Sequence, residues 1–540
     1  MAEPTRRDAL AAGGALAAGA MLPGACAAQP RWPGTLAGPD RAAGHALRDG
    51  KFAATTGPEE QVGIAIAGGG VAGLAAAWRL VEAGYTDFRL FELESEPGGN
   101  ARSGRNEVSA YPLGAHYLPV PNREARALRH MLTRFGMVIG TDAQGVPRYD
   151  PYQLCADLEE RLFWRGAWQE GIYPRRGLSA EDRSQSDRFE AEMAAFRSAV
   201  GSDGRPAFAS PMALSSSDPR FAALDRMEFA SWLAGRGFTS KVLRDHLRYC
   251  CRDDYGCEPE HVSAWAGIHY FAARRGWAAD GAGDRELTWP EGNGRLVALM
   301  REALGPRISS RHIVTRAAVD GSNARLTVAA IDAGSTRTVR AGAAVLATPH
   351  FVTRRIAPVA FGSESFAYAP WVVANVTVDR LPAGPGVPVA WDNVSAGSDS
   401  LGYVVATHQS GSARGGPSVL TWYLPLSRRK PAEARRDMLT RSLADWQRMV
   451  AGDLMTMNPD LEGAIRRIDI WLWAHAMARP EPGFLSHPAR VAAQRLDGPL
   501  LAAHSDLSGL SLFEEAHYRG VAAAEAAMRR LGHAFESLLT

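Results

Sequence analysis

The stretch IAIAGGGVAGLAAAWRL, residues 64–80, places three consecutive glycines between an apolar, β-branched run and an alanine-rich segment. The spacing Gly68-x-Gly70-x-x-Gly73 predicts a strand, a tight turn and the start of a helix. The first glycine makes the turn, the second lets the backbone approach a pyrophosphate, and the third lets the helix pack on the strand. The N-terminus of that helix offers free N–H groups and a partial positive charge to phosphate.

The sequence after this motif supplies the βαβ context that a dinucleotide site requires. The helical pattern closes at Gly84, and DFRLFELE at 87–94 predicts a second strand. Glu92 ends that strand about 20 residues beyond the last glycine, where an acidic side chain holds ribose hydroxyls. Motif, context and acid together predict a Rossmann-like dinucleotide-binding domain. The alternative is a glycine-rich turn with a surface Glu92.

Length and charge exclude several classes of protein. A chain of 540 residues is too long for one simple core and predicts interleaved domains. A formal net charge of +2 leaves no basic excess for nucleic acid. No run of about 20 apolar residues follows the N-terminus, so we expect no membrane span. Lysine is rare, because Lys51, Lys241 and Lys430 are the only three.

The first residues have the pattern of an export signal. Arg6-Arg7 precedes a short Ala/Gly/Leu stretch and then small residues, which is typical of the twin-arginine pathway. The small residues around Cys26 fit cleavage and release to the periplasm, and a lipid anchor through this cysteine is the alternative. We therefore predict a signal peptide over 1–28 that engages the twin-arginine export machinery, followed by a linker over 29–56.

A second glycine turn decides which dinucleotide the site takes. The predicted strand runs into FELESEPGGNARSG, residues 91–104, with the pair Gly98-Gly99 followed by Arg102. This segment resembles the flavin-dependent amine oxidase and phytoene desaturase superfamily, in which such a turn follows the acid. The resemblance implies FAD, since the turn brings backbone N–H groups to the pyrophosphate and ribityl chain. The superfamily's usual arginine is Asn100 here, and Arg102 takes its place.

Further segments follow in the order that the superfamily shows. Residues 111–119 resemble the segment that passes the flavin ring, and 312–319 the strand that meets the adenine. Residues 343–349 match the Ala-Thr-Pro strand end, and 500–509 resemble the closing segment, with its acid shifted in position. The FAD-binding residues that the resemblance implies here are Gly114, Ala115, Val314, Thr348, Pro349, Asp506 and Ala516.

The resemblance implies an α/β fold in which a Rossmann-like FAD-binding domain is interleaved with a mixed α+β substrate domain. We predict that the FAD-binding domain comprises 57–125, 285–350 and 465–540. The substrate domain is then built from 126–284 and 351–464.

Three residues are candidates for the chemistry at the flavin. His116 lies in the ring-passing segment and can bind substrate or accept a proton, or else it packs structurally. His475 lies where the superfamily places aromatic residues around the substrate. Many superfamily oxidases keep a lysine near flavin N5, and its counterpart here is Asn375. This departure predicts a dehydrogenase that passes electrons to a quinone or cytochrome.

Two further clusters are candidates for recognition of a small-molecule substrate. Asp253, Asp254 and Tyr255 can supply carboxylates to a polyamine, or else form a solvated loop. Trp473, together with Trp471, can cage a cation, or else both rings belong to a core. No metal site is expected.

Three functions remain open at this point. The first is an FAD-dependent oxidoreductase acting on an amine. The second is a desaturase-like enzyme acting on the C–C bond of a hydrophobic substrate, and the third is a non-catalytic flavin-binding protein. Aspartates and aromatic rings around the pocket favour the first, and a long apolar tunnel favours the second.

Overall fold

The computed structural model describes residues 31–52, 55, 57–362, 366–409 and 416–539. The predicted signal peptide, with Arg6, Arg7 and Cys26, lies outside the described residues. Within them the strands are β1 Leu36–Ala37, β2 Glu60–Ala67, β3 Phe88–Phe91, β4 Ser103–Arg105, β5 Ala110–Pro112, β6 Tyr117–Pro119, β7 Val138–Thr141, β8 Pro147–Tyr149, β9 Glu160–Trp164, β10 Ala167–Glu170, β11 Glu286–Thr288, β12 Ile308–Ser309, β13 His312–Asp320, β14 Asn323–Ala330, β15 Ser335–Leu346, β16 Tyr368–Val378, β17 Asp392–Ser395, β18 Tyr403–Val405, β19 Ser418–Pro425, β20 Ile465–Ala478 and β21 Leu500–Ala502.

The helices separate and flank these strands. They are α1 Arg41–Arg48, α2 Val71–Glu82, α3 Arg126–Arg134, α4 Ala180–Ser198, α5 Pro219–Ala222, α6 Phe229–Gly235, α7 Lys241–Tyr255, α8 Ala264–Ala272, α9 Gly294–Leu304, α10 His350–Ile356, α11 Pro358–Phe361, α12 Pro431–Thr440, α13 Leu443–Met457, α14 Pro488–Ala493 and α15 Phe513–Arg530. No helix in the described ranges is both long and apolar enough to cross a bilayer.

The first sheet is the Rossmann-like sheet that the glycine motif predicts. Its strands run in the order β12-β3-β2-β15-β14-β13, and β21 pairs with β15. Strands β3, β2, β15 and β21 are parallel neighbours. Helices α2 and α15 pack closely on one face, and a Cβ atom on Gly520 would lie 2.1 Å from the Ala72 carbonyl oxygen. This contact joins the first helix of the sheet to the last helix of the chain.

The second sheet has eight strands in the order β1-β20-β16-β19-β18-β17-β9-β10. One face packs on α13 through a core that includes Trp422 and Trp446. The other face carries Trp371, Val373 and Tyr423, because alternate residues of a strand point to opposite sides. Strand β20 lies in this sheet, although it belongs to the segment 465–540 that is predicted to bind FAD.

A helical layer covers that second face of the eight-stranded sheet. Helices α4, α6, α7 and α8 pack around a shared core of aromatic and aliphatic side chains. The N-cap serine of α7, Ser240, accepts a hydrogen bond from Leu243 N, and Gly256 ends the helix in the left-handed conformation. These caps set where α7 begins and where it ends.

The predicted linker over 29–56 is structured in part. Leu36 and Ala37 form β1, which pairs in parallel with β20 of the second sheet. Asp40 then donates its backbone N–H to Glu94 and forms an ion pair with Arg311 of the first sheet. Residues 31–49, which we term the N-terminal strap, therefore contact both sheets.

Candidate active site

The glycine motif forms a cradle at the carboxyl end of β2. Gly68 has φ of +100° and makes the turn. A Cβ atom on Gly73 would lie 1.9 Å from the Gly68 carbonyl oxygen, so glycine is required for the helix to approach the strand. Gly70 is the N-cap of α2, and a Cβ atom there would meet only Gly99, at 3.9 Å. The two glycine turns therefore face each other across an open space.

Charged groups flank this cradle. Glu92 accepts hydrogen bonds from the backbone N–H groups of Gly69 and Glu94. Arg102 forms an ion pair with Glu94 at 3.3 Å, and its buried Nε finds no hydrogen-bond partner. A free N–H donor beside the N-terminus of α2 fits an anionic group such as a pyrophosphate. The residues present therefore fit the dinucleotide that the motif predicts.

The other predicted FAD residues are distributed around the same edge of the sheet. Thr348 touches the Gly68 turn, and Pro349 is the N-cap of α10. Val314 is buried in β13 at a bulge, and Ala516 is buried in the first turn of α15. Gly98 has φ of +135°, and its backbone N–H bonds to the Gly69 carbonyl oxygen.

Asp506 is the exception among the predicted FAD ligands. Its Oδ2 accepts hydrogen bonds from His350 N at 2.8 Å and from the Tyr368 hydroxyl at 2.6 Å. Its Oδ1 lies 3.1 Å from His504 Nδ1, and only 1% of the residue is exposed. Both carboxylate oxygens are thus committed to the protein itself, so Asp506 holds the closing segment in place.

His116 lies inside a cluster of aromatic rings. Its ring stacks on Tyr423 at 4.6 Å and lies 5.0 Å from Tyr117 and 5.6 Å from Trp391. The Tyr423 hydroxyl donates to the Gly114 carbonyl oxygen, which anchors the ring-passing segment to the second sheet. Burial lowers the pKa of His116 to about 4, so the imidazole is neutral at pH 7.

His475 lies apart from this cluster. Its ring packs against Phe351 at 4.7 Å and Tyr368 at 6.0 Å. Burial and the nearby Arg435 lower the pKa of His475 to about 4. The structure therefore does not bring the two predicted histidines together.

The predicted cation cage at Trp471 and Trp473 is filled by the chain itself. The guanidinium of Arg102 lies 5.1 Å from the Trp471 ring centroid and 5.7 Å from that of Trp473. The Trp473 indole N–H donates to the Leu113 carbonyl oxygen. An internal arginine thus occupies the position predicted for the cation, and a contact of Trp473 with the substrate stays a prediction.

Carboxylates from four separate elements meet beside the His116 cluster. Glu160 of β9 and Asp392 of β17 are direct partners in a parallel strand pair. Asp253 of α7 reaches the Tyr117 hydroxyl at 3.4 Å, and the Tyr249 hydroxyl lies 3.5 Å from Asp392. We term the group that these side chains form the acidic cavity, and its residues are His116, Tyr117, Glu160, Tyr249, Asp253, Glu286, Trp391, Asp392 and Tyr423.

The carboxylates of the acidic cavity are largely buried, and each keeps some accessible surface. Burial raises the pKa of Glu160 and of Asp253 to about 7, with neighbouring acids adding to the effect. Burial likewise raises the pKa of Glu286 and Asp392. The buried Glu286 Oε2 has no hydrogen-bond partner. Arg274 is one cation beside these acids, since it pairs with Asp254 and lies 3.4 Å from the Tyr117 hydroxyl. The acids outnumber it, so a further cation is the group that would satisfy the others.

The three predicted substrate residues on α7 divide between different surroundings. Asp253 lines the acidic cavity. Asp254 instead bonds to Arg274 at 2.8 and 3.0 Å. Tyr255 is wrongly assigned to the substrate, because its ring lies in the helical core and its hydroxyl donates to the Ala266 carbonyl oxygen.

Asn375 does not reach the acidic cavity. Its Oδ1 accepts a hydrogen bond from Thr421 at 2.8 Å, and the residue is buried. Val373 is the residue of β16 that pairs with Tyr423 and so lies at the level of His116. Whichever of these two residues corresponds to the lysine of the superfamily oxidases, that position carries no lysine in this chain.

Sequence reasoning missed most of the acidic cavity. Glu160, Glu286, Asp392 and Tyr249 come from segments that carry no motif. The feature of the sequence that could have indicated these residues is a charged residue within an apolar strand, such as Asp392 in the run VAWDNVS at 389–395. No three His, Cys, Asp or Glu side chains among the described residues form a group that could hold a metal ion.

Comparisons with known proteins agree with this architecture. A family model described as an NAD(P)-binding Rossmann-like domain matches residues 66–135. A structure of wild-type putrescine oxidase bound to putrescine aligns with 87% of this chain and 99% of its own, at 18% identity and a TM-score of 0.62. Cyclohexylamine oxidase from Brevibacterium oxydans IH-35A covers the same shares at 16% identity and a TM-score of 0.60.

The same fold is also found in an enzyme that catalyses a different reaction. A fatty acid isomerase from P. acnes, which produces CLA, aligns with 86% of this chain and 98% of its own, at 14% identity and a TM-score of 0.55. No curated protein sequence matches the chain. The chain thus shares the mixed α/β fold of these amine oxidase structures, and this agrees with the fold that the resemblance in its sequence implies.

Proposed function

We propose that this chain is an FAD-dependent oxidoreductase that removes a hydride from an amine, with a polyamine as the favoured substrate. The acidic cavity carries this proposal. It sets Asp253, Asp392 and Glu160 beside the His116 segment, and that segment resembles the one that passes the flavin ring. Bound FAD would supply the acceptor for the hydride. The chain's own residues bind and orient the amine.

The roles within the cavity follow from its contacts. The carboxylates of Asp253 and Asp392 attract an ammonium group, and the rings of Trp391 and Tyr423 exclude water around it. His116 is neutral and packed between rings, so it positions the substrate instead of repelling its charge. Aspartates with aromatic rings favour an amine over the long apolar substrate of a desaturase-like enzyme.

Anaerobic mixing tests the amine reaction. Purified protein carrying FAD should lose its oxidised flavin absorbance with diamines and monoamines, and not with alcohols of equal length. Asp392→Asn should raise the amine concentration required about tenfold or more, because an asparagine cannot ionise to pair with the bound ammonium as the carboxyl can. Asp332→Asn, at an exposed acid, is the matched control. Flavin that no amine reduces would contradict the proposal.

We further propose that the reduced enzyme passes electrons to a quinone or cytochrome faster than to oxygen. A lysine near N5 would place positive charge where peroxide charge develops. On this strand the chain has Val373 and Asn375, and neither side chain carries a positive charge. The positive charge of Arg274 is paired with Asp254. Stopped-flow mixing of reduced protein with oxygen or a quinone analogue tests this. Val373→Lys should raise the oxygen rate, and reoxidation by air that a quinone does not improve would contradict it.

We also propose export to the periplasm as folded protein through the twin-arginine pathway. A chain that needs a cytoplasmic cofactor to complete its fold is best exported after folding, and Arg6-Arg7 supplies the matching signal. Replacing both arginines with lysine should leave FAD-loaded protein in the cytoplasm. Fractionation of cells that express the double variant provides the measurement, and periplasmic delivery as in the wild type would contradict export by this route.

A further inference from the structure

Arg102 lies across the second glycine turn of the cradle. A Cβ atom on Gly98 would lie 2.9 Å from Arg102 Cγ, and Gly98 forms an isolated bridge with Gly70, the N-cap of α2. Only 9% of the Arg102 side chain is exposed, and its Nε has no hydrogen-bond partner among the described residues. A buried donor is costly unless a ligand accepts from it. Arg102 is therefore the cation that the cradle offers to the anionic part of a dinucleotide.

Two contacts hold the guanidinium of Arg102 in place. Its Nη1 pairs with Glu94 Oε2 at 3.3 Å, and its Cζ lies 5.1 Å from the ring centroid of Trp471. A long side chain loses conformational freedom when it is fixed in this way, and that freedom returns when its partners move. The position of Nε thus depends on where Glu94 and Trp471 are held.

The N-terminal strap holds Glu94. The backbone N–H of Asp40 donates to Glu94 Oε1 at 2.7 Å. The Asp40 carboxylate pairs with Arg311 at 2.8 Å, and the backbone N–H of Arg311 donates to the Glu94 carbonyl oxygen at 3.2 Å. One carboxylate therefore joins the strap to Arg102, with one oxygen bound to each.

The strap also holds the strand that carries Trp471. Strand β1 pairs in parallel with β20, and Ala37 is the register partner of Trp471. The approach is close, since a Cβ atom on Gly38 would lie 2.7 Å from the Leu472 carbonyl oxygen. Both groups that hold Arg102 are thus in contact with residues 37–40 of the strap.

We propose that the N-terminal strap is part of the cofactor site, and that it slows release of the dinucleotide by holding Arg102 in position through Glu94 and Trp471. Gly38 and Asp40 are then positioning residues that act through Arg102. The proposal rests on the binding of FAD proposed above. It adds that a segment before the glycine motif sets how firmly the cofactor is held.

Two substitutions at residue 40 provide the first test. Asp40 has φ of −62°, which proline also adopts, so Asp40→Pro removes the N–H that bonds to Glu94 at a compatible backbone angle. Asp40→Ala loses the same carboxylate but keeps this N–H, and it is the matched control. FAD should dissociate at least about fivefold faster from Asp40→Pro than from Asp40→Ala. Flavin fluorescence after dilution of the FAD-loaded protein measures the rates.

Two glycines of the strap provide the second test. Gly38→Ala places a Cβ atom against the Leu472 carbonyl oxygen, so β1 must move away from β20. Release of FAD should again be at least about fivefold faster than in the wild type. Gly44→Ala, in α1 with no atom within 4 Å of the new Cβ, should release FAD as the wild type does.

A double variant distinguishes positioning from a general loss of stability. Arg102→Met keeps an unbranched side chain between the tryptophan rings but removes the charge and the donor, so it should speed FAD release at least about tenfold. If the strap acts through Arg102, adding Gly38→Ala or Asp40→Pro to Arg102→Met should change the rate less than about twofold further. A merely structural strap would give the same increments in both backgrounds, and that result would contradict the proposal.

These measurements need no amine, so they separate the strap from the proposed reaction. If no amine reduces the flavin but the strap variants release FAD faster through Arg102, the reaction fails and the role of the strap stands. If amines reduce the flavin, but Asp40→Pro and Gly38→Ala keep FAD as firmly as their controls, only the role of the strap fails. Protein that takes up no FAD would overturn both proposals.

Discussion

At the scale of single residues, the acidic cavity depends on which side of an element each side chain points to. Asp253 and Tyr255 are two residues apart on α7, so their side chains point to nearly opposite sides of the helix. One faces the cavity and the other the helical core. The sequence shows an acidic run but not its orientation, which explains why only one of these two predictions has support in the structure.

The pKa values of the cavity acids predict how stability depends on pH. The pKa of Asp253 is raised by burial to about 7, above its value in the unfolded chain, so the folded state holds the extra proton. That contribution to stability is complete below about pH 4 and is lost as the pH rises to about 7. Thermal unfolding should therefore show Asp253→Asn gaining in Tm relative to the wild type between pH 5 and pH 8.

The exposed acid Glu462 supplies the control for this measurement. Glu462→Gln should follow the wild-type pH dependence. If the Tm of Asp253→Asn also followed the wild-type pH dependence, Asp253 would titrate as an ordinary carboxyl.

At the scale of elements, the strand–turn–helix motif was predictable because each glycine has its own steric reason. The second sheet was less predictable, since β20 continues a chain segment that leads directly into the Rossmann-like sheet. Pairing with β16 and β1 assigns it to the other sheet. Such pairing joins residues far apart in the chain, and local sequence patterns do not record it.

Substitutions at two glycines of the motif should distinguish an effect on cofactor binding from an effect on folding. A side chain at Gly70 finds open space in the protein, so Gly70→Val should fold and lose flavin by occupying the space of the phosphate. A side chain at Gly73 meets the Gly68 carbonyl oxygen, so Gly73→Val should lose both flavin and stability. Absorbance of bound flavin and thermal unfolding measure the two effects. Equal flavin content in Gly70→Val and wild type would contradict the prediction that the glycine cradle binds the phosphate of the cofactor.

The contact between α2 and α15 gives a second prediction at this scale. Gly520→Ala forces a Cβ atom against the Ala72 carbonyl oxygen and should lower the free energy of unfolding by about 1–3 kcal/mol. Gly452→Ala, in α13 with no atom near the new Cβ, should raise it by up to about 1 kcal/mol. Chemical denaturation measures both, and equal effects would contradict the close approach.

At the scale of the whole molecule, the N-terminal strap ties the two sheets together. Asp40 caps α1 by accepting from Ala43 N, and it pairs with Arg311. Asp40→Ala should lower the free energy of unfolding by about 1–2 kcal/mol through loss of the cap, and it should speed proteolytic cleavage of the strap. Gly44→Ala, which meets nothing within 4 Å, is the control in the same helix. Unchanged cleavage in Asp40→Ala would show that the strap is held by other contacts.

The position of β21 and α15 at the far end of the chain has a consequence for synthesis. The Rossmann-like sheet begins with β2 at residue 60, but β15 pairs with it only after residue 339, and β21 joins at residue 500. A ribosome must therefore synthesise about 500 residues of this sequence before β21 can complete the Rossmann-like sheet. Until α15 packs on it, the alanine-rich face of α2 is uncovered, so the chain can aggregate or bind chaperones through this face. Rapid synthesis of residues 500–530, which form β21 and α15, therefore shortens the interval in which this face is uncovered.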